Sequence, residues 1–233
     1  MTRLLTAILS TLIISSCQTI TGSGNIVTET RNIKNIDGVK SSGSIEVEVV
    51  NDARQTIKIE ADDNVMEYVI TRVKDGLLQV HMDSDKSYRN ITAKVYVSAP
   101  KLSRLYVSGS GTIRTTGTIT DDDEIEFKVT GSGEVDAKVD APTISAQVTG
   151  SGVLQLSGRT KDLKGKVTGS GDLKSDDLLS ENTNVTVSGS GSASVYSSVA
   201  LTAKVTGSGD VYYSGNPKTE NIKKSGSGGI TKK

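Results

Sequence analysis

Apolar and polar residues alternate along most of the second half of the chain. Apolar side chains occupy every second position in Ile144, Ala146 and Val148, and again in Leu154 and Leu156. A helix with one buried face needs an apolar period of about 3.6 residues, whereas a half-buried strand needs a period of two. The pattern therefore predicts β-strands.

A five-residue motif interrupts this alternation at nearly regular intervals. Val-Thr-Gly-Ser-Gly occurs at residues 129–133, 148–152, 167–171 and 205–209, and Val-Ser-Gly-Ser-Gly at 107–111 and 187–191. The first glycines of successive motifs are 18 to 22 residues apart. This interval is too short for a repeat of two helices and fits one coil of a parallel β-solenoid. We therefore predict an all-β solenoid with coils of about 19 residues.

Each motif is predicted to form a corner of the solenoid. One glycine can adopt a positive φ angle, and the other lets the backbones of stacked coils approach closely. The serines between them, and the Thr or Ser before them, would then stack as hydroxyl ladders at strand spacing. The predicted turn glycines are Gly109 and Gly111, Gly131 and Gly133, Gly150 and Gly152, Gly169 and Gly171, Gly189 and Gly191, and Gly207 and Gly209.

Charged residues appear in alternate coils on both sides of the corner. The position three residues before the first glycine reads Lys128, Gln147, Lys166, Thr186 and Lys204 in successive coils. The position three residues after it reads Glu134, Val153, Asp172, Ser192 and Asp210. If coils stack at strand spacing, this alternation separates like charges by about 10 Å, which is near the Debye length at physiological salt. The alternation therefore supports stacking independently of the apolar pattern.

Residues 25–100 are less regular than residues 101–230, which carry the repeats. We predict that residues 25–100 form an N-terminal β region that contains the cap and the first coils. A hairpin is expected with its tip at Lys74, Asp75 and Gly76, and a short helical turn within residues 61–68. Solenoids need such atypical ends because an open terminal coil exposes a sheet edge.

The N-terminus resembles that of a bacterial lipoprotein. Residues 1–16 hold one basic residue and then an apolar run too short to span a bilayer, as in a signal peptide. Ile14, Ser15, Ser16 and Cys17, the only cysteine, resemble a lipobox, which implies lipidation of Cys17. The alternatives are an ordinary signal peptide with an incidental cysteine, or a buried N-terminal strand.

Residues 17–24 are expected to be a lipidated tether, and the membrane is thus the first predicted partner. Acylation by more than one chain makes such an anchor effectively permanent. The tether carries no acidic cluster of the kind associated with surface-exported lipoproteins. This favours the periplasmic side of the outer membrane over the cell surface.

Composition argues against nucleic-acid binding and against familiar catalytic sites. Lys plus Arg and Asp plus Glu both number 27, there is no Trp, and Phe occurs once. His81 is the only histidine, so neither a Ser-His-Asp arrangement nor a histidine metal site is expected. The glycine motifs lead into strands and not into helices, which excludes a phosphate loop. We predict no catalytic residue, no metal and no cofactor.

Two sets of side chains, one acidic and one of tyrosines, could have more than one role. Asp121–Asp123 form an acidic run, and Glu134, Asp172 and Asp210 share one edge. These carboxylates are interpreted as solvated charge, with calcium binding as the alternative. An outward Tyr106, together with Tyr196 and Tyr212, is a candidate patch for a glycan or protein ligand; Tyr213 is expected in the core.

Several long segments resemble one known family. GSGNIVTETRNIKNIDGVKSSGSIEVEV, VYVSAPKLSRLYVSGSG and DVYYSGNPKTENIKKSGSGGI, together with the repeats between them, are similar to the putative auto-transporter adhesin, head GIN domain family. The resemblance runs from about Gly24 to Ile230. It implies a right-handed parallel β-helix-like fold, frequent lipoprotein anchoring and no established catalytic activity.

The function expected from all of this is a lipid-anchored adhesin or binding module without catalysis. A carbohydrate-processing β-helix enzyme, which would depend on Asp121–Asp123, and a structural component of the cell envelope remain the alternatives.

Overall fold

The computed structural model describes residues 19–233, which form a β-solenoid of about 6 turns with coils of roughly 20 residues. Strands make up 71% of the structure, and within the described range no α-helix occurs. These features confirm the predicted all-β solenoid. No helix in residues 19–233 has the length and hydropathy needed to cross a membrane.

The first nine strands belong to the less regular N-terminal part. They are β1 (Thr19–Thr21), β2 (Ile26–Arg31), β3 (Gly38–Gly43), β4 (Glu46–Asn51), β5 (Thr56–Asp62), β6 (Val69–Lys74), β7 (Leu77–Met82), β8 (Ser87–Arg89) and β9 (Ala93–Ala99). A single 3-10 turn, Met66–Tyr68, lies between β5 and β6, inside the segment where a helical turn was expected.

The remaining strands carry the repeats. They are β10 (Arg104–Gly109), β11 (Thr112–Thr120), β12 (Glu124–Gly131), β13 (Glu134–Gly150), β14 (Val153–Gly169), β15 (Asp172–Gly189), β16 (Ser192–Tyr196), β17 (Ala200–Gly207), β18 (Asp210–Ser214), β19 (Thr219–Ser225) and β20 (Ile230–Lys232). Three of them, β13 to β15, are 17 or 18 residues long and continue from one face of the solenoid to the next.

Successive coils stack as parallel strands with the glycine motifs aligned. Gly131 pairs with Gly150, Gly150 with Gly169, and Gly169 with Gly189. We call the face whose strands end at the motif the pre-corner face, and the face that begins after it the post-corner face. Because this alignment is maintained from coil to coil, positions next to the motif form columns along the solenoid. Bulges shift the register elsewhere, between Arg114 and Thr118 and between Gln155 and Ser157.

The interior is mostly aliphatic. Val148, Val167 and Leu154 have no exposed surface, and Phe127, the only phenylalanine, is also fully buried. A buried residue of this kind stabilises the fold by roughly 1.5–3 kcal/mol relative to leaving it exposed. Because neighbouring coils provide that burial, the stacking of coils is itself the source of stability.

The N-terminal end is wound out of sequence order. Strands β7 and β9 pair in parallel with β3 and β4, and β10 and β11 pair with the opposite edges of the same two strands. The rung formed by β7 and β9 therefore lies outside the rung formed by β3 and β4, although it comes later in the chain. Three antiparallel pairs, β2 with β5, β5 with β9 and β6 with β7, then close this end.

The predicted hairpin is confirmed between β6 and β7. Asp75 and Gly76 form its two-residue turn with φ angles of 53° and 75°. Two consecutive positive φ angles match the turn type that suits the twist of paired strands.

Part of the segment expected to be a tether is a paired strand in the structure. Thr19–Thr21 pairs in parallel with Ser87–Arg89, and the backbone N–H of Gly22 donates to the carbonyl oxygen of Arg89 at 3.1 Å. The described part of the chain therefore begins with a strand paired to β8. Cys17 itself, with the rest of residues 1–18, lies outside the described residues.

Candidate binding surface

Each corner needs glycine at both motif positions, for two different reasons. Gly150 has a φ angle of 110°, and a Cβ atom on it would lie 2.6 Å from the carbonyl oxygen of Gly131. Gly152 has no positive φ, but a Cβ there would lie 2.5 Å from the carbonyl oxygen of Gly133. Between them, the backbone N–H of Ser151 donates to the Gly131 oxygen at 2.8 Å. The corner is thus a tight backbone contact between coils.

The other predicted turn glycines occupy equivalent places. Positive φ angles occur at Gly109, Gly131, Gly169, Gly189 and Gly207, and close approach to the preceding coil's backbone occurs at Gly111, Gly133, Gly171, Gly191 and Gly209. The serines between them, such as Ser132, Ser151 and Ser170, are exposed. The corner therefore presents hydroxyl groups to solvent.

A column of outward-facing positions runs along the pre-corner face. Its members align through direct strand pairing and are Lys128, Gln147, Lys166, Thr186, Lys204 and Lys223. We call this set the lysine column. Strands in a sheet are about 4.8 Å apart, so lysines in alternate coils are about 10 Å apart along the column.

A second column, of hydroxyl groups, lies two residues further along the same strands. It consists of Thr130, Thr149, Thr168, Ser188 and Thr206, paired in the same register. A shallow hollow of about 470 Å³ lies beside the middle of the lysine column, and Gln147, Lys164, Lys166, Asn184 and Thr186 contribute to its lining. The pre-corner face thus offers a column of cations beside a column of hydroxyls.

The two ends of the lysine column differ in electrostatics. Lys128 Nζ lies 2.5 Å from a carboxylate oxygen of Glu126 and 4.9 Å from the ring centre of Tyr106. Burial, and then the hydrogen bond to Glu126, raise the pKa of Tyr106. In the part of the chain that the structure describes, Lys166, Lys204 and Lys223 have no carboxylate partner. Their charges are therefore available to an anionic ligand.

The post-corner face carries the acidic column expected from the sequence. Glu134, Asp172 and Asp210 align through intervening Val153 and Ser192. Asp172 accepts a hydrogen bond from Ser192 Oγ at 2.7 Å, and Asp210 accepts one from the backbone N–H of Gly229 at 2.7 Å. Within residues 19–233 no group of three His, Cys, Asp or Glu side chains is arranged to hold a metal ion.

A cluster of paired charges surrounds Tyr96 near the N-terminal end. Lys94 Nζ lies 2.6 Å from Glu48 and 3.2 Å from Glu46, and Tyr96 donates a hydrogen bond to Glu60 at 2.9 Å. The hydrogen bond to Glu48 is the main reason that the pKa of Lys94 is raised. The charges of this cluster are thus satisfied by one another, which distinguishes it from the C-terminal half of the lysine column.

The acidic run is not uniformly solvated, contrary to the expectation from the sequence. Asp122 and Asp123 are exposed, but the side chain of Asp121 is only 1% exposed and lies 3.2 Å from Lys101 Nζ. Asp121 also accepts a hydrogen bond from the backbone N–H of Asp123 at 2.9 Å. The interpretation as solvated charge is therefore wrong for Asp121, whose carboxylate is buried under the turn that it stabilises.

The remaining candidate residues are dispersed. His81 is half-buried on β7, with Nδ1 2.9 Å from the carbonyl oxygen of Met82. Tyr213 is buried, as predicted, and Lys233 Nζ lies over the ring of Tyr212 at 5.4 Å. Tyr196 lines a separate groove of about 610 Å³ on another corner, beside the exposed Leu179. Tyr106 lies on the pre-corner face between Lys40 and Lys128, so the tyrosines do not share one patch.

Comparison with known proteins identifies the same architecture elsewhere. A family model described as "Putative auto-transporter adhesin, head GIN domain" matches residues 35–217. A crystal structure of a putative adhesin from Bacteroides fragilis NCTC 9343 is similar, with a TM-score of 0.86, 21% identity and coverage of 92% of this chain and 100% of that one.

Two structures from Parabacteroides distasonis ATCC 8503 are also similar. One is a putative lipid binding protein, with a TM-score of 0.77, 25% identity and coverage of 93% of this chain and 100% of that one. The other is a putative adhesin, with a TM-score of 0.71, 22% identity and coverage of 92% and 100%. A search of curated proteins found no match. The feature that this chain shares with the three crystal structures is the solenoid fold.

Proposed function

Because the chain belongs to the putative auto-transporter adhesin, head GIN domain family, we propose that it is a non-catalytic binding protein of the cell envelope, anchored by lipid on Cys17. The adhesin descriptions of the family and of its structural relatives support an adhesive role at the envelope or surface. The lipobox-like residues before Cys17 support the anchor. We place the protein on the outer membrane and favour its periplasmic side.

We further propose that the ligand is an extended anionic glycan bound along the lysine column. The observation that carries this proposal is that Lys166, Lys204 and Lys223 have no carboxylate partner within residues 19–233. Lys166 and Lys204 lie two coils apart, at about 10 Å, and Lys223 lies one coil beyond Lys204. A linear glycan with one acidic group per disaccharide presents its charges at a comparable spacing. The neighbouring hydroxyl column can donate to and accept hydrogen bonds from sugar hydroxyls.

Equilibrium binding of the full-length protein to a polysaccharide with one uronate per disaccharide and to a neutral polysaccharide tests this function. The double variant K166Q/K204Q removes two charges from the column, and K138Q/K174Q removes two exposed lysines from the post-corner face as a matched control. We expect K166Q/K204Q to weaken binding to the uronate-containing polysaccharide by about tenfold, the effect of losing two exposed ion contacts. The control should bind like the wild type, and added salt should weaken binding in all three.

Equal loss of affinity in both double variants would refute the lysine column as the binding surface. Absence of binding to every glycan would refute the glycan ligand. Release of glycan fragments that stops when Asp121–Asp123 are replaced would instead establish the enzymatic alternative.

A further inference from the structure

The C-terminal end of the solenoid leaves the outer edges of β19 and β20 unpaired within residues 19–233. Strand β19 pairs in parallel with β17, and no strand within residues 19–233 pairs with its other edge. All seven residues of β19 are exposed. The N-terminal end differs, because Arg31 on β2 reaches across to β6 and donates to the carbonyl oxygen of Val69 at 2.5 Å and to Thr71 Oγ1 at 2.8 Å.

The pairing with β17 shows which side chains of β19 face the solenoid interior. Glu220, Ile222 and Lys224 align with Leu201, Ala203 and Val205, which are buried. The interior side of the last strand therefore carries an apolar residue, 43% exposed, between two residues of opposite charge. Glu220 is held in this position by a hydrogen bond from the Tyr213 hydroxyl at 3.2 Å.

We propose that two copies of this chain associate tail to tail, with β19 pairing antiparallel to β19 of the second copy and Ile222 on the two-fold axis. Residues directly opposite in an antiparallel pair share a face, so interior side chains must lie opposite interior side chains. Only shifts by an even number of residues satisfy this condition. The pairing continues the sheet and covers both copies of Ile222 at once.

Charge complementarity selects this register. With Ile222 opposite its own copy, Glu220 lies opposite Lys224 of the second copy, and the symmetric contact repeats the same pair. The next register in one direction places Lys223 opposite Lys223, and in the other direction it places Glu220 opposite Ile222. Opposite charges across a strand pair are stabilising and like charges are destabilising.

The charged residues of β19 also do not have the arrangement expected of an edge strand that avoids pairing with other chains. Lysines on an edge strand normally prevent edge-to-edge pairing. Strand β19 instead carries Glu220 and Lys224 at equal distances on either side of Ile222, which makes the edge complementary to itself. The same surface is used by both copies, so the contact is isologous and gives a closed dimer. Further copies cannot add at this edge, and no filament forms.

Sedimentation equilibrium of the full-length protein in detergent tests the proposal through a charge exchange. We expect a reversible monomer–dimer equilibrium for the wild type. E220K and K224E each place like charges opposite one another and should weaken the dimer by about tenfold. The double variant E220K/K224E restores opposite charges and should restore the dimer. K40E makes the same charge change near the other end and should have no effect.

Cross-linking tests the position of the two-fold axis. Opposite residues in an antiparallel pair have Cα atoms about 4.5–5.5 Å apart, a distance that a disulfide spans. C17S/I222C, whose introduced thiol is the only one in the chain, should therefore form a disulfide-linked dimer under mild oxidation. C17S/I26C places a similarly exposed thiol on β2 at the N-terminal end and should remain monomeric.

Several results would overturn the proposal: a wild-type monomer at all concentrations, a double charge variant as weak as the single variants, open-ended polymers, or equal cross-linking of both thiol variants. Circular dichroism and urea unfolding of each variant establish that it is folded, so that a lost dimer is not mistaken for a lost fold. The glycan proposal is independent of this one, because neither experiment contains glycan.

Discussion

Glycines at equivalent corners should differ in their tolerance of a side chain, because only some of them contact a preceding coil. Gly43 and Gly150 belong to the same column and both have positive φ angles, 86° and 110°. A Cβ on Gly43 meets nothing within 4 Å, whereas a Cβ on Gly150 meets the Gly131 carbonyl oxygen at 2.6 Å. The outer rung pairs with β3 only as far as Ser41, which leaves the space beside Gly43 open.

The two substitutions therefore separate backbone strain from contact between coils. Gly43→Ala should cost only the strain of an alanine at positive φ, about 1–3 kcal/mol. Gly150→Ala adds the displacement of a packed backbone, about a further 1–3 kcal/mol by analogy with overpacked cores. Gly152→Ala, which has the close contact without the positive φ, should cost the second amount alone.

Urea unfolding of the three variants measures these differences as changes in the free energy of unfolding. A contact effect requires the midpoint for Gly150→Ala to fall below that for Gly43→Ala, with similar slopes. In thermal unfolding, each 1 kcal/mol should lower Tm by about 2–4 °C for a chain of this size. Equal destabilisation by Gly43→Ala and Gly150→Ala would show that φ strain alone requires glycine and would refute the close coil contact.

Three further predictions concern the anchor, the core and the charges. Cys17→Ser should release the protein from membranes in a fractionation experiment, and unchanged partition would contradict the lipid anchor. Phe127→Ala should lower the free energy of unfolding by about 3–5 kcal/mol, because the side chain is fully buried; a loss below 1 kcal/mol would contradict tight packing there. Burial opposes ionisation of Glu126, but Lys128 and Tyr106 outweigh it and lower the pKa from 4.5. The ionised Glu126 therefore stabilises the fold above that pH, and this stabilisation is lost as the pH falls through the folded pKa. The free energy of unfolding of Glu126→Gln should therefore fall less than that of the wild type between neutral and acidic pH.

The repeated half of the fold could be predicted from the sequence because two signals agree there. The period-two alternation identifies strands and the glycine motif fixes where each coil turns, so Lys128, Lys166 and Lys204 could be assigned to one column. Lys223 extends that column by one coil and was missed. Its signal is a weaker copy of the motif around Gly226, which has a φ angle of 113° and follows Lys223 by three residues.

The N-terminal winding could not be predicted, because alternation tells which side of a strand is buried but not which strand lies beside it. Strands β4 and β9 both alternate, yet nothing in either sequence states that β9 packs outside β4. Alternation also does not give the length of β13, which continues through Pro142 to the next face.

The burial of Asp121 was missed for a related reason. Three consecutive aspartates are a typical solvated loop by composition, and only the path of the chain shows that the first one turns inward. Its carboxylate accepts the N–H of Asp123 and faces Lys101. Local hydrogen bonding of this kind is invisible to a pattern of charges.

The corner and the lysine column are consequences of one feature, the alignment of successive coils at the glycine motif. A slip of one residue between β13 and β14 would turn Lys166 toward the interior, so the spacing of cations on the surface depends on the register held at Gly150 and Gly169. The same register leaves the interior side of β19 bare at the end of the stack. A side chain inserted at Gly150 would therefore displace Lys166 from Lys128 as well as weaken the fold, and binding along the column should be lost together with stability.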